Sequence, residues 1–159
     1  MDFDWSCWKP KEKAVLCFVV QGDQVLLIHK KRGFGAGKVN GPGGRIDPGE
    51  TALQAAIRET QEEIGILPKQ IDHIGELFFQ FHDGYALQCA VFRADAYEGE
   101  LIETDEALAF WSDISEVPYH RMWADDAHWL PLVFQRQRFE GYFVFDGETL
   151  LSKRLDLKS

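Results

Sequence analysis

The sequence predicts a single α+β or α/β/α domain, and three observations carry that expectation. Several apolar runs of six to nine residues are bounded by glycine- or aspartate-bearing turns. Two other segments place apolar residues at three- and four-residue spacing, the period of a helix. The 159 residues show no repeat, linker or low-complexity tract, and that length suits one core. Helices mixed with mostly antiparallel strands in so short a chain give this class.

Residues 1–12 read as a polar arm loosely attached to a body of residues 13–159, with Trp5 and Trp8 able to pack it back. AVLCFVV (14–20) reads as a buried strand, QGDQ as a turn and VLLIHK (25–30) as its hairpin partner. The loop KRGFGAGKVNGPGG (31–44) carries six glycines and a proline, a density of breakers expected to exclude strand and helix. A helix is predicted from Thr51 to Ile64, after the Pro48-Gly49 turn and before a Gly65 cap. Leu53, Ile57, Thr60 and Ile64 form its predicted core stripe, with the glutamates roughly opposite and Ala55 and Ala56 on the glutamate side. ELFFQF (76–81) and ALQCAVFRA (86–94) read as strands around the His82-Asp83-Gly84 turn, and LAFWSD (108–113) as a strand end. Asp125 to Arg138 reads as a second amphipathic helix, and FEGYFVFDG (139–147) as a late strand of alternating aromatics.

Composition narrows the function. Hydrophobic residues make up 45% of the chain, enough to build a core. The formal charge of −9 argues against a nucleic-acid polymer or an anionic membrane as partner. A free nucleotide held with a divalent cation stays open, because the cation reverses the local charge. No run of about 18 apolar residues spans a membrane. MDFDWSCWKPKEK lacks the basic-then-apolar order of a signal peptide, and three scattered cysteines make neither a disulfide framework nor a zinc site. The expectation is a cytoplasmic protein acting as a monomer.

The chemistry concentrates in RETQEEIG (58–65). Glu59, Glu62 and Glu63 stand at i, i+3 and i+4, where like charges destabilise a helix. Three clustered carboxylates suit a hard cation such as Mg2+, and the glycine-rich loop upstream offers backbone N–H groups to phosphate. Glu50 and Arg58 are placed to pair and brace the helix, leaving the other acids for metal. Taken alone, the eight residues fit a solvated acidic face equally well.

The longer pattern decides between these. Gly44, Glu50, Arg58-Glu59, Glu62-Glu63 and Gly65-Ile66 give eight fixed identities over 23 residues, and this resembles the signature of the Nudix hydrolases. The resemblance implies an α/β/α sandwich with a mixed central sheet and hydrolysis of a nucleoside diphosphate linked to another moiety. It implies Mg2+, with Mn2+ as a substitute, held by Glu59, Glu62, Glu63 and the Gly44 carbonyl. Glu59 or a later-loop glutamate would be the general base. Residue 60, usually a bulky aliphatic, is Thr60, whose hydroxyl can bond back to a helix carbonyl at small cost.

Beyond the signature, most of residues 14–156 resemble the oxidised purine nucleoside triphosphatases of the MutT-like branch, through KKRGFGAGKVNGPGG (30–44), ETDEALAFW (103–111), MWADDAHWLPL (122–132) and FEGYFVFDG. That likeness implies 8-oxo-dGTP and 2-oxo-dATP as substrates, cleaved to monophosphate and pyrophosphate. Asn40, Asp125 and Asp126 match residues that read the base edge. Trp123, Phe34, Phe79 and Phe81 match the pocket aromatics, and Glu106 a loop glutamate near the metals. Lys30 and Lys31 are candidates for phosphate or structural contacts. Simpler roles compete: a helix N-cap for the Asp125-Asp126 pair, a turn for Asn40, and core packing for Trp129. The chain departs from that group at Val39, Pro42, Val15 and Cys17 and in a shortened turn at 82–85, all near the pocket rather than the metal residues. Hydrolysis of another nucleotide, an isomerase and a non-catalytic nucleotide-binding module are the competing functions.

Overall fold

The computed structural model describes residues 3–159. Nine strands share one mixed sheet: β1 (Glu12–Gln21), β2 (Gln24–Lys30), β3 (Val39–Asn40), β4 (Gly43–Arg45), β5 (Leu67–Phe81), β6 (Ala86–Glu98), β7 (Ala107–Asp113), β8 (Phe139–Asp146) and β9 (Thr149–Leu157). The spatial order is β3-β2-β1-β6-β5-β8-β9, with β4 on β1 and β7 on β2. β1 runs parallel to β6 and β5 parallel to β8, while the other pairs are antiparallel. Helices α1 (Ala52–Ile64) and α2 (Asp126–Phe134) cover the two faces. No helix among the described residues is long and apolar enough to cross a membrane.

The alternation of β1 divides the core. Val15, Cys17 and Val19 pack with Ala55, Ala56 and Ile64 under α1. Phe18 and Val20 pack with Trp129, Leu130 and Val133 of α2, together with the β8 aromatics. AVLCFVV is therefore buried on both faces, which explains its lack of polar alternation.

Helix α1 has its predicted ends. Thr51 Oγ1 accepts from Gln54 N–H while the Gln54 side chain accepts from Thr51 N–H, and Gly65 closes the helix at φ 84°. Its buried face differs from the expected stripe. Leu53 is 43% exposed and Ile57 only half-buried, whereas Ala55, Ala56, Thr60, Glu63 and Ile64 are buried. The small alanines let α1 lie close on β1 and β4, which rotates its contact face toward the glutamates.

Other expectations are corrected by tertiary contact. Two short strands, β3 and β4, do form inside the glycine-rich loop. Gly43 lies so close to β1 that a Cβ there would sit 2.0 Å from the Val15 carbonyl oxygen, so this glycine serves close strand approach rather than a turn. β5 begins nine residues before the expected strand, at Leu67, and passes through Gly75 at a bulge. The Phe139 ring fills the space a Gly75 side chain would need. α2 ends at Phe134 rather than Arg138, because Arg136 turns into the left-handed region at φ 56° and leads into β8. The arm packs onto the sheet through Trp5 and Trp8, the second of the two outcomes open to it.

Candidate active site

One cavity of about 410 Å3 opens on the α2 side of the sheet. Lys30, Phe34, Asn40, Gly44, Phe79, Phe81, Trp123, Asp125 and Asp126 all line it, although they come from three separate stretches of chain, 30–44, 79–81 and 123–126. β2, the glycine-rich loop and β3 bring Lys30, Phe34 and Asn40. β5 turns Phe79 and Phe81 inward, and the residues before and at the start of α2 supply Trp123, Asp125 and Asp126. Phe34, itself half exposed, stacks on Trp123 at 5.2 Å with the rings 8° apart, and Phe81 meets Trp123 edge to face at 6.2 Å. Trp129 is core, as its spacing suggests, and also touches the cavity.

Sequence reasoning did not single out Tyr85, Leu87, Cys89 or Phe145, which also line the wall. Phe145 was within reach, since Phe139, Gly141, Phe143 and Phe145 alternate along β8 and are all buried. Cys17 does not reach the cavity: it is buried against Thr60 and its thiol is pushed up to about 12 by burial. Lys38 was also missed. Its Nζ lies 5.1 Å over the Trp123 ring and 2.5 Å from Glu148 on the β8–β9 turn.

The two aspartates are buried carboxyls at the foot of the cavity, 2% and 5% exposed. Asp125 makes no side-chain cap bond to α2, which removes the simple helix-cap explanation. Asp125 Oδ2 instead accepts from Trp129 Nε1 at 2.7 Å. Burial raises the pKa of both acids; the Asp125 charge raises Asp126 further, while bonds from Trp129 and Asp126 partly offset the rise at Asp125. Burial and the Asp125 charge raise the Asp126 pKa well above the usual carboxylate range, which favours its protonated form. A buried acid that donates and a buried acid that accepts form one hydrogen-bonding surface. Asn40 makes the turn contact, its side-chain oxygen accepting from Gly41 N–H at 2.9 Å, and the residue also lines the cavity.

The α1 carboxylates grade from solvent to core. The Glu62 side chain is 57% exposed, Glu59 is half-buried and Glu63 is fully buried. Glu63 Oε1 accepts from Gly43 N–H at 2.7 Å. Burial raises the Glu63 pKa to about 7, with Gly43 N–H and Lys30 opposing the rise and the Glu59 and Glu106 charges adding to it. Glu106 thus sits close enough to Glu59 and Glu63 to act on both. Its loop is tied down by Thr104, whose hydroxyl donates to the Glu63 carbonyl at 2.7 Å and accepts from Glu106 N–H at 3.2 Å.

Arg58 braces the helix as expected, through Nε and Nη2 to the two Glu50 oxygens at 2.7 and 2.8 Å. This pairing holds the Glu50 carboxyl down to about 2. Arg58 Nη1 also donates to Glu59 at 2.7 Å and Glu62 at 3.2 Å, so these two acids are not left free as expected. Among the described residues no three acidic, histidine or cysteine side chains converge into a finished metal cluster. The donors nevertheless fit a hard cation: carboxylates beside one main-chain segment at Gly44, where a Cβ would lie 2.3 Å from Glu59 Oε2. Only a glycine leaves that space open.

Comparison with known proteins agrees with this geometry. A family model described as the NUDIX domain matches residues 10–133. The chain is 48% identical over 143 residues to the "Oxidized purine nucleoside triphosphate hydrolase" of Danio rerio, covering 89% of this chain and 92% of that protein. It is 39% identical over 142 residues to the protein of the same name from Mus musculus, covering 88% and 91%. A solved structure described as the mMutator MutT protein from Bacillus halodurans superposes with a TM-score of 0.82 at 31% identity, over 91% of this chain and 97% of that one. With α1 carrying the signature glutamates beside Gly44 and the match running through both the metal-side and cavity-side segments, the chain belongs to the NUDIX domain family.

Proposed function

We propose that the chain is a nucleoside triphosphate pyrophosphohydrolase that converts oxidised purine nucleotides such as 8-oxo-dGTP and 2-oxo-dATP to the monophosphate and pyrophosphate. The observation that carries this reading is the buried Asp125-Asp126 pair facing an aromatic cavity, with Asn40 on its wall and Lys30 and Gly44 leading to the α1 carboxylates. The names of the zebrafish and mouse relatives support the same substrate class.

In this reading the purine lies among Phe34, Trp123 and Phe81, where aromatic faces stack on a base. The Asp125-Asp126 pair holds one proton, which it donates to the base edge while its free carboxyl oxygens accept, and the Asn40 amide adds a further contact. Oxidised guanine and oxidised adenine present different donor and acceptor edges, and an acid pair sharing a proton can meet either. Lys30 attracts the phosphates at the cavity mouth. Glu59, Glu62, Glu63 and Glu106, with the Gly44 carbonyl, would hold Mg2+, or Mn2+ in its place. Such an ion supplies charge neutralisation on the triphosphate and a more acidic water. Glu59, or Glu106 from the later loop, accepts the proton of the attacking water. The α–β anhydride P–O bond breaks, and pyrophosphate leaves with the negative charge.

The protein acts as a cytoplasmic monomer on a free nucleotide, not on a nucleic-acid polymer or a membrane. The test is hydrolysis of 8-oxo-dGTP, 2-oxo-dATP, dGTP and ADP-ribose side by side with Mg2+, with products identified and a chelator control. The oxidised purines should lead, with monophosphate and pyrophosphate as products and no turnover after chelation. Preference for ADP-ribose or for unmodified dGTP sinks the substrate assignment.

A further inference from the structure

The N-terminal arm precedes residue 10, where the family match begins, yet it is built onto the back of the cavity. Phe3, Trp5 and Trp8 contact one another edge to face at 4.8 and 5.4 Å. Trp5 meets Tyr142 at 5.3 Å and Trp8 meets Phe78 at 5.7 Å. Phe78 and Tyr142 stack on each other at 4.8 Å. Phe78 and Gln80 alternate with Phe79 and Phe81 along β5, so the arm covers one face of the strand while the other face forms the cavity wall.

Gln80 is the polar link between the two faces. An indole N–H can only donate, and Trp8 Nε1 donates to Gln80 Oε1 at 3.0 Å. That contact fixes which way the amide points. Gln80 Nε2 then donates to the carbonyls of Phe81 at 2.8 Å and Tyr85 at 3.3 Å. Turned the other way, the amide oxygen would face two carbonyl oxygens and its NH2 would face the indole N–H. Phe81 and Tyr85 flank the β5–β6 turn, closed by Phe81 N–H to Tyr85 O at 2.8 Å and Gly84 N–H to Phe81 O at 3.0 Å. Both rings line the cavity and lie 5.6 Å apart.

We propose that Trp8 is a positioning residue for the purine cavity: through the Gln80 amide, the N-terminal arm fixes the turn that presents Phe81 and Tyr85. This rests on the cavity being the base site. It gives the arm a role in substrate affinity rather than in the hydrolytic step, since Trp8 touches neither cavity nor carboxylates.

The test compares Trp8→Phe, which keeps an aromatic ring but loses the N–H, with Gln80→Met and the double variant. The readouts are KM and kcat for 8-oxo-dGTP and amide hydrogen exchange at Gly84 and Tyr85. Trp8→Phe should raise KM about fivefold, the effect of one net hydrogen bond, leave kcat within about twofold, and speed exchange at the turn. Gln80→Met should do the same, and the double variant should add nothing further, as expected for one chain of contacts. An unmoved KM, unmoved exchange, or additive effects of the two substitutions each overturn the proposal. Exchange at the turn does not depend on which base the cavity holds. Failure of the base-site reading appears instead as unchanged selectivity in both Asp125→Asn and Asp126→Asn.

Discussion

Helix α1 and the start of α2 both present clustered carboxylates, and they do opposite things with them. The α1 acids run from exposed Glu62 to buried Glu63 and stand beside a guanidinium and a glycine. The α2 acids are both buried, with an indole N–H on Asp125 and pKa values that burial pushes upward. Graded exposure suits a hydrated hard cation, which keeps several of its waters. Full burial suits recognition, where a donor or acceptor left unpaired is costly enough to discriminate between bases. The same residue type is therefore suited to charge in one place and to hydrogen-bond geometry in the other, and burial makes the distinction.

The sharpest break of that comparison is Glu62→Gln. It removes a charge but leaves an exposed polar side chain, so turnover should fall at least about 1000-fold while the thermal midpoint barely moves. A fully active variant would remove Glu62 from the metal site.

Asp126→Asn should act on selectivity instead. It replaces a carboxylic acid by an amide at a buried site, and the ratio of 8-oxo-dGTP to 2-oxo-dATP hydrolysis should change about tenfold. Parallel steady-state assays on the two substrates measure it, and Asp125→Asn should shift the ratio as well. Unchanged ratios in both variants contradict base reading by the pair.

The pair should also be visible in stability. The folded pKa values of Asp125 and Asp126 lie above the ordinary 3.8. As pH rises past that value, the unfolded chain loses protons that the folded chain retains. The contribution of the pair is therefore fully present at low pH and is lost as pH climbs toward the folded values. Denaturant unfolding from about pH 4 to 7 should show Asp126→Asn gaining on the wild type as pH increases. The opposite slope would mean that both aspartates are ionised in the native state.

The smallest effect is expected at Thr60, where the chain departs from the family's aliphatic residue. Thr60 Oγ1 donates to the Ala56 carbonyl at 2.7 Å within α1. That carbonyl already serves the helix ladder, so Thr60→Val should change stability by less than about 1 kcal/mol and leave activity intact. Calorimetry beside a standard assay checks both.

Local rules carried α1 a long way. The caps at Thr51 and Gly65, the Glu50–Arg58 brace and the spacing of the three glutamates are relations within a few turns of one helix, and each was legible as such. Turn chemistry likewise marked the β1–β2 hairpin and the 82–84 turn. The cavity was legible only residue by residue, through likeness to a known group. Nothing in the spacing of Asn40, Phe81 and Asp125 says that they meet, and Tyr85 and Leu87 gave no signal of their own.

By itself, then, the sequence determined the class of fold, the acidic helix and the hydrolytic signature, because helical and strand periods are properties of neighbouring residues. Tertiary structure decided which acid is buried, because burial depends on what packs over a position. Glu63 is covered by β4 and accepts from Gly43, whereas Leu53, apolar by type, is left half exposed. It also decided that glycines could be strands, since Gly43 is needed where β4 closes on Val15. And it decided that two adjacent aspartates at the start of a helix would not simply cap it: packing of Trp129 and the surrounding aromatics buries them, and burial disfavours their charged forms.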